Sequence, residues 1–155
     1  MKKVLFFIIP ALFIGCSIKQ DTIQNFAKCY IHKAPAPFWV CYQNSFISVG
    51  KVYTNEVDRL KQQEAYTMAI SNLIKKLTLK TDEFVKRLDL NISLKEKIKE
   101  YVLFKGIQDS LWYDKKNRML YVKVYIEKED FKKFLFSFFK KIDKNKLNQT
   151  FDEVF

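Results

Sequence analysis

The residues of this chain with the most chemistry to offer are its cysteines, at positions 16, 29 and 41. They fall into two kinds. Cys16 follows Met1-Lys2-Lys3, an unbroken apolar run from Val4 to Ile14, and the small residue Gly15. A charged start, a short apolar stretch and a small residue before the cut are the layout of a secretory signal. A cysteine directly after the small residue adds a specific reaction. Its thiol can carry a diacylglycerol through a thioether, so Cys16 is the expected lipidation site of a bacterial lipoprotein. Leu usually stands three residues before such a cysteine; here Phe13 occupies that place and Leu12 the one before it. An ordinary cleaved signal is the competing reading. An uncleaved anchor is too short, because the apolar run would rise only about 16 Å as a helix against a hydrocarbon core of roughly 30 Å.

On this reading residues 1–15 are a signal peptide and the mature chain begins at Cys16. Several acyl chains there would hold the protein on a membrane, where one alone binds marginally. Ser17 stands where an Asp would signal retention at the inner membrane. The expected location is therefore the outer membrane, with the domain periplasmic or surface-exposed.

Cys29 and Cys41 are the second kind. Eleven residues separate them, and an exported chain meets a compartment that permits disulfides. A bridge closing such a loop would contribute on the order of 2–3 kcal/mol; two buried free thiols are the alternative. No metal or cofactor is expected, since the chain has one histidine, His32, and no paired-cysteine spacing of a zinc site. His32 beside Lys33 reads as an ordinary exposed residue. With glycine only at 15, 50 and 106, no phosphate loop can be built. Glu127, Glu129 and Asp130 sit at a helix start, where the helix dipole accounts for them. Nothing resembles a catalytic constellation, and the expectation is a non-enzyme.

Removing Lys2 and Lys3 lowers the formal charge from +11 to +9. Nucleic acid, anionic headgroups or an acidic protein could meet such a charge. The basic residues are interleaved with acids except near the end, where Lys132, Lys133, Lys140, Lys141, Lys144 and Lys146 cluster. A solvated basic face is the simpler reading, and nucleic acid is not the expected partner.

The elements that must position these residues follow from periodicity. Residues 16–44 read as a lipid-anchored tether and a Pro-rich lead, in which Ala34-Pro35-Ala36-Pro37 takes an extended path and Phe38-Trp39-Val40 packs the lead onto the domain. Residues 45–142 read as the domain. Ser45–Tyr53 is a strand with Gly50 inside it, a mark of close backbone approach. A helix capped by Thr54 or Asn55 runs from Glu56 to Leu77 on Val57, Leu60, Ala65, Met68, Ala69, Leu73 and Leu77. Ala65 and Ala69, one turn apart, would let it lie close to a sheet. Residues 82–99 read as two short helices broken near Asn91, with Thr81 or Asp82 as one cap and Ser93 with Glu96 as a capping box. Val102–Tyr113 and Met119–Ile126 read as an antiparallel hairpin around the polar turn 114–118. Lys128–Ile142 is an amphipathic helix on Phe131, Phe134, Leu135, Phe138 and Ile142. Residues 143–155 read as a polar, mobile tail.

The order strand, helix, helix, strand, strand, helix gives an α+β fold: a three-stranded antiparallel sheet with helices packed on one face. The other face would then expose Tyr121, Lys123 and Tyr125, and exposed aromatic patches mark interfaces. These three are the candidate interface residues.

Taken together, Cys16 after its signal, Pro37-Phe38-Trp39, Val49-Gly50, the Ala65/Ala69 helix and Tyr121-Val122-Lys123-Val124-Tyr125-Ile126 resemble the lipoprotein-20 family of small campylobacterial outer-membrane lipoproteins. The resemblance covers residues 1–127. The chain departs from it in having Gly50 alone in a strand that is often richer in glycine, and the Lys- and Phe-rich end does not align. The resemblance implies a non-enzymatic, membrane-anchored protein. Some members are surface antigens, and others are flagellar lipoproteins that assemble into disks or rings around the motor. Only the lipid-bearing position carries over, onto Cys16. Self-association or another envelope protein is the expected partnership. The alternative is a basic binding module for an anionic polymer, a lipid or a partner protein, working through the +9 charge and the Lys/Phe helix.

Overall fold

The computed structural model describes residues 28–155, so the signal and Cys16 lie outside the described residues. The fold is α+β, built on a three-stranded antiparallel sheet. Its strands are β3 (Ile47–Tyr53), β4 (Ile107–Asp114) and β5 (Met119–Tyr125), in the order β3-β5-β4. Before it come β1 (Cys29–Ile31), β2 (Ala34–Ala36) and the single turn α1 (Phe38–Cys41). Between and after the strands lie α2 (Arg59–Arg87), α3 (Lys95–Lys105), α4 (Lys128–Phe136) and α5 (Lys144–Val154).

The alternation in β5 decides which face is which. Leu120, Val122 and Val124 are fully buried under α2, opposite Val52, Gly50 and Ser48 of β3. The closest approach is at Gly50. A Cβ there would lie 1.8 Å from the Ala65 carbonyl oxygen and 2.6 Å from the Ala69 amide nitrogen. Glycine on the strand and alanines on the helix are thus two halves of one contact, and Ala65 and Ala69 have no exposed surface.

Helix α2 is longer than its periodicity suggests. It continues past Leu77 because Thr81, Phe84 and Val85 prolong the buried stripe. Thr81 is therefore interior and caps nothing. At the start, Asp58 is the cap, accepting a 2.7 Å bond from the Lys61 amide, in place of Thr54 or Asn55. Val57, Leu60 and Met68, expected on the core stripe, are exposed. A break does fall around Asn91, but α3 starts after Leu94 with no side-chain cap, so the Ser93/Glu96 box is not formed.

The first third of the expected strand 102–113 is helix. Ile98 and Val102, one turn apart, are fully buried within the core, and Gly106 ends α3 with its amide on the Val102 carbonyl. The polar turn is as expected: Asp114 accepts from the amides of Lys116 and Asn117 and from the Asn117 side chain.

Helix α4 stops at Phe136, well short of Ile142. The chain then bends so that Phe139, rather than Phe138, enters the core, edge-on to the Phe84 ring at 5.7 Å. The expected mobile tail is instead α5. Asp143 caps it through the amides of Asn145 and Lys146, and Leu147, Phe151 and Val154 are buried. Phe151 stacks on Phe155 at 4.6 Å, and Ser45 Oγ donates to the Phe155 carbonyl.

The opposite sheet face is not left open. Cys29 at the start of β1 is bonded to Cys41 at the end of α1, with Cα atoms 5.7 Å apart. The bridge ties the β1–β2 hairpin and α1 into a cap over the sheet. His32 and Lys33, both at positive φ, form the two-residue turn of this hairpin, the geometry that the strand twist favours. The extended path expected over 34–37 is therefore partly strand, with Pro35 paired to Tyr30.

Candidate interaction face of the sheet

The residues at issue sit on the outward side of β5, where alternation sends every second side chain away from α2. Along that side run Met119, Tyr121, Lys123 and Tyr125. The sequence suggests Tyr121, Lys123 and Tyr125 as one open surface, and the structure divides them.

Tyr121 is 7% exposed. It lies beneath the cap in a small cluster with Cys29 and Val40, flanked by Trp39, Val49, Trp112 and Met119. The Trp112 and Tyr121 ring centroids are 5.1 Å apart. Burial pushes the Tyr121 phenol up from its ordinary pKa, and the Asp114 carboxylate adds to the shift. Its role is to hold the cap. The physical reason is economy of apolar surface: Val49, Trp112, Met119 and Tyr121 make this face too apolar to leave wet, and the chain covers it with its own Trp39 and Val40.

Lys123 and Tyr125 remain half-exposed. The Lys123 ammonium bonds Asp109 Oδ2 at 2.6 Å and lies 5.8 Å from the Tyr125 ring centroid. Asp109 sits at an irregularity in β4, where the register with β5 slips between Gln108 and Ser110. Ser110 Oγ donates to the same carboxylate oxygen. These bonds, from Lys123 first and then Ser110, hold the Asp109 carboxyl below the usual carboxylate range. Tyr125 is paired with Ile47 on one side and Ile107 on the other. Directly opposed residues of antiparallel strands share a face. The open part is therefore an Ile47–Tyr125–Ile107 row beside a fixed Lys123–Asp109 ion pair. Asp109 and the isoleucines are not singled out by sequence reasoning. The signal available for Asp109 is three polar residues in succession, Gln108-Asp109-Ser110, which break the alternation of the strand.

Beside the cap, a cleft of about 360 Å³ is lined by His32, Val40, Lys51, Met68, Asn72 and Tyr121. The Asp114 carboxylate has a pKa that lies low chiefly through the Asn117 bonds, with nearby His32 the smallest cause. Nearby, Lys76 ties the α1–β3 connection to α2 by donating to the Asn44 and Ile47 carbonyls at 2.8 and 2.7 Å, and its partial burial lowers the pKa of the ammonium. Among the described residues no group of three His, Cys, Asp or Glu side chains could hold a metal ion, and no helix is long and apolar enough to cross a membrane. The one covalent cross-link among the described residues is the Cys29–Cys41 bond.

No protein-family model matches the chain, and no curated protein matches it.

Proposed function

We propose that this chain is a non-enzymatic outer-membrane lipoprotein of the lipoprotein-20 type, anchored through acyl chains on Cys16, with a structural or scaffolding role in the cell envelope. Assembly into a disk or ring around a flagellar motor is the form of that role the resemblance implies. The observation that carries the reading is the Cys29–Cys41 bond. Persistent disulfides belong to oxidising compartments, and this one lies shortly after the cysteine that the signal presents for acylation. Residues 17–28 join the two, a stretch that could span at most about 40 Å. The domain would work close to the membrane. Contact with further copies or an envelope protein is assigned to Tyr125, Ile47 and Ile107, the open part of the outward face.

The test is metabolic labelling with palmitate in a bacterial host, followed by membrane fractionation. Label should enter the wild-type chain and co-fractionate with the outer membrane. Cys16→Ala should carry no label and leave the membrane fraction. An unlabelled wild type would reject the anchor. For the scaffolding role, light scattering on the chain from residue 16 onward should give a defined oligomer that Tyr125→Ser dissociates; a monomer would reject self-association. The second reading, a basic binding module, is favoured by one observation of its own, the unpaired lysines after α4.

A further inference from the structure

The sequence 132–146 carries Lys132, Lys133, Lys140, Lys141, Lys144 and Lys146 against a single acid, Asp143. The fold neutralises only the first two. Lys132 faces Asp152 and Lys133 faces Asp130. The Asp143 carboxylate is committed to the amides that begin α5. Lys140, Lys141, Lys144 and Lys146 are left without an ion pair among the described residues.

Two of these lysines, Lys140 and Lys141, line an apolar groove. The chain leaves α4 at Ser137 and bends through 138–142, and the bend faces the connection between α2 and α3. Between them lies an open groove of about 480 Å³ lined by Leu90, Ile92, Phe138 and Ile142, with Lys140 and Lys141 along its edge. Phe138 is 39% exposed and Ile92 46%. Phe138 is also the outer end of a ring ladder. It meets Phe134 edge-on at 5.2 Å, and Phe134 stacks on Tyr101 of α3 at 4.2 Å. The exposed ring is thus held by packed rings behind it.

We infer that the 138–142 bend is a contact site for the surface of an anionic phospholipid membrane, with Phe138 and Ile92 entering the acyl boundary and Lys140 and Lys141 meeting headgroup phosphates. Charge complementarity selects an anionic partner. The apolar groove selects a lipid over a soluble polyanion, since a wholly hydrophilic chain would leave Phe138, Ile92 and Leu90 unsatisfied. Amphipathic surfaces of this composition bind at the headgroup–acyl boundary by buried apolar area plus attraction to anionic lipid. The segment is the bend after α4; α4 itself turns Phe131 and Leu135 into the core. The inference does not rest on acylation of Cys16, and it is tested without it.

The chain from residue 16 onward, with Cys16→Ala and the 29–41 bond intact, is mixed with vesicles and the bound fraction measured by sedimentation. Vesicles of phosphatidylglycerol and phosphatidylethanolamine are compared with vesicles of phosphatidylcholine alone. Binding is expected to the first and not the second, and to fall as salt rises. Lys140→Gln with Lys141→Gln should weaken binding about fivefold per lysine, roughly 25-fold for the pair. Phe138→Ser should weaken it as well, with the thermal melt of the lysine pair unchanged and that of Phe138→Ser lowered by no more than about 4 °C. Equal binding to both vesicle types, binding to neither, or indifference to the lysine pair would overturn the inference. So would polyphosphate binding as tight as vesicle binding and untouched by Phe138→Ser, which would assign these lysines to a polymeric anion.

Discussion

Two single residues show how local chemistry sets the fold. At Gly50 the obstacle to a side chain is backbone, because the nearest atoms to a Cβ belong to the Ala65 carbonyl and the Ala69 amide. Overpacking of a tight core costs about 1–3 kcal/mol and sometimes more, and here no flexible neighbour can yield. Gly50→Ala should cost at least about 3 kcal/mol by urea denaturation. Ala65→Gly should fail to rescue it, since the clash is with the carbonyl and not with the Ala65 methyl; a rescue would show that α2 is held less firmly than the contact implies. At Asp114 the effect depends on pH. Bonds from the Asn117 side chain, then from backbone amides, favour the charged carboxylate and lower its pKa. The stabilisation is therefore present above the unfolded value of about 3.9 and is lost as pH falls through the folded value. Asp114→Ala should cost about 1–2 kcal/mol at neutral pH. The difference from wild type should vanish in strong acid; one that persists there would mean that the carboxylate charge is not what the turn uses. Both features can be read in the sequence, Gly50 with Ala65 and Ala69 as small residues at helix spacing, Asp114 and Asn117 as turn formers.

Elements were legible where one periodicity dominated and illegible where two competed. The inward alternation of Leu120, Val122 and Val124 in β5 and the stripe of Ala65, Ala69, Leu73 and Leu77 are unambiguous, and each lies where it was expected. Val102-Leu103-Phe104 reads as strand because three apolar residues in a row suit either structure. Burial of Ile98 and Val102 decides for helix, and leaves Leu103 and Phe104 largely exposed. Thr81 reads as a cap by residue type, yet it lies on the continuing stripe. Helix α5 is the largest miss. Leu147, Phe151 and Phe155 stand one turn apart, but Asn, Gln and Thr between them dilute the pattern to a polar tail. The cost of losing the element is correspondingly large. Phe151 has no exposed surface and touches the rings of Phe84, Phe136 and Phe155. Phe151→Ala should lose roughly 3–5 kcal/mol in denaturant unfolding, whereas Phe138→Ala, at the exposed end of the ring ladder, should lose under about 1 kcal/mol. Equal effects would mean that α5 is not part of the cooperative core.

At the scale of the whole molecule, the sheet separates two clusters of unequal size. The helix side holds the main core, from Phe46 to Val154. The outward side holds only Cys29, Val40 and Tyr121 with a few partly buried neighbours. Strands β1 and β2 have three residues each, too little pairing to persist alone, and their turn places His32 and Lys33 at positive φ. The cap should therefore depend on the Cys29–Cys41 bond, whose loop closure is worth on the order of 2–3 kcal/mol, while the main core should not. Local opening of such a unit below the global unfolding free energy is ordinary protein behaviour. The molecule supplies its own reporter, because its two tryptophans, Trp39 and Trp112, both lie in the smaller cluster. In the oxidised protein, tryptophan fluorescence and far-UV circular dichroism should report one urea transition. After reduction, or in Cys29→Ser with Cys41→Ser, the fluorescence midpoint should fall to lower urea while the dichroism midpoint holds. Opening would also uncover Tyr121 and Trp112 beside Tyr125, joining the buried and open parts of the outward face into one aromatic surface. Self-association should then rise on reduction. If the two signals move together, cap and core are a single unit, and the bond stabilises the whole domain instead of gating one of its faces.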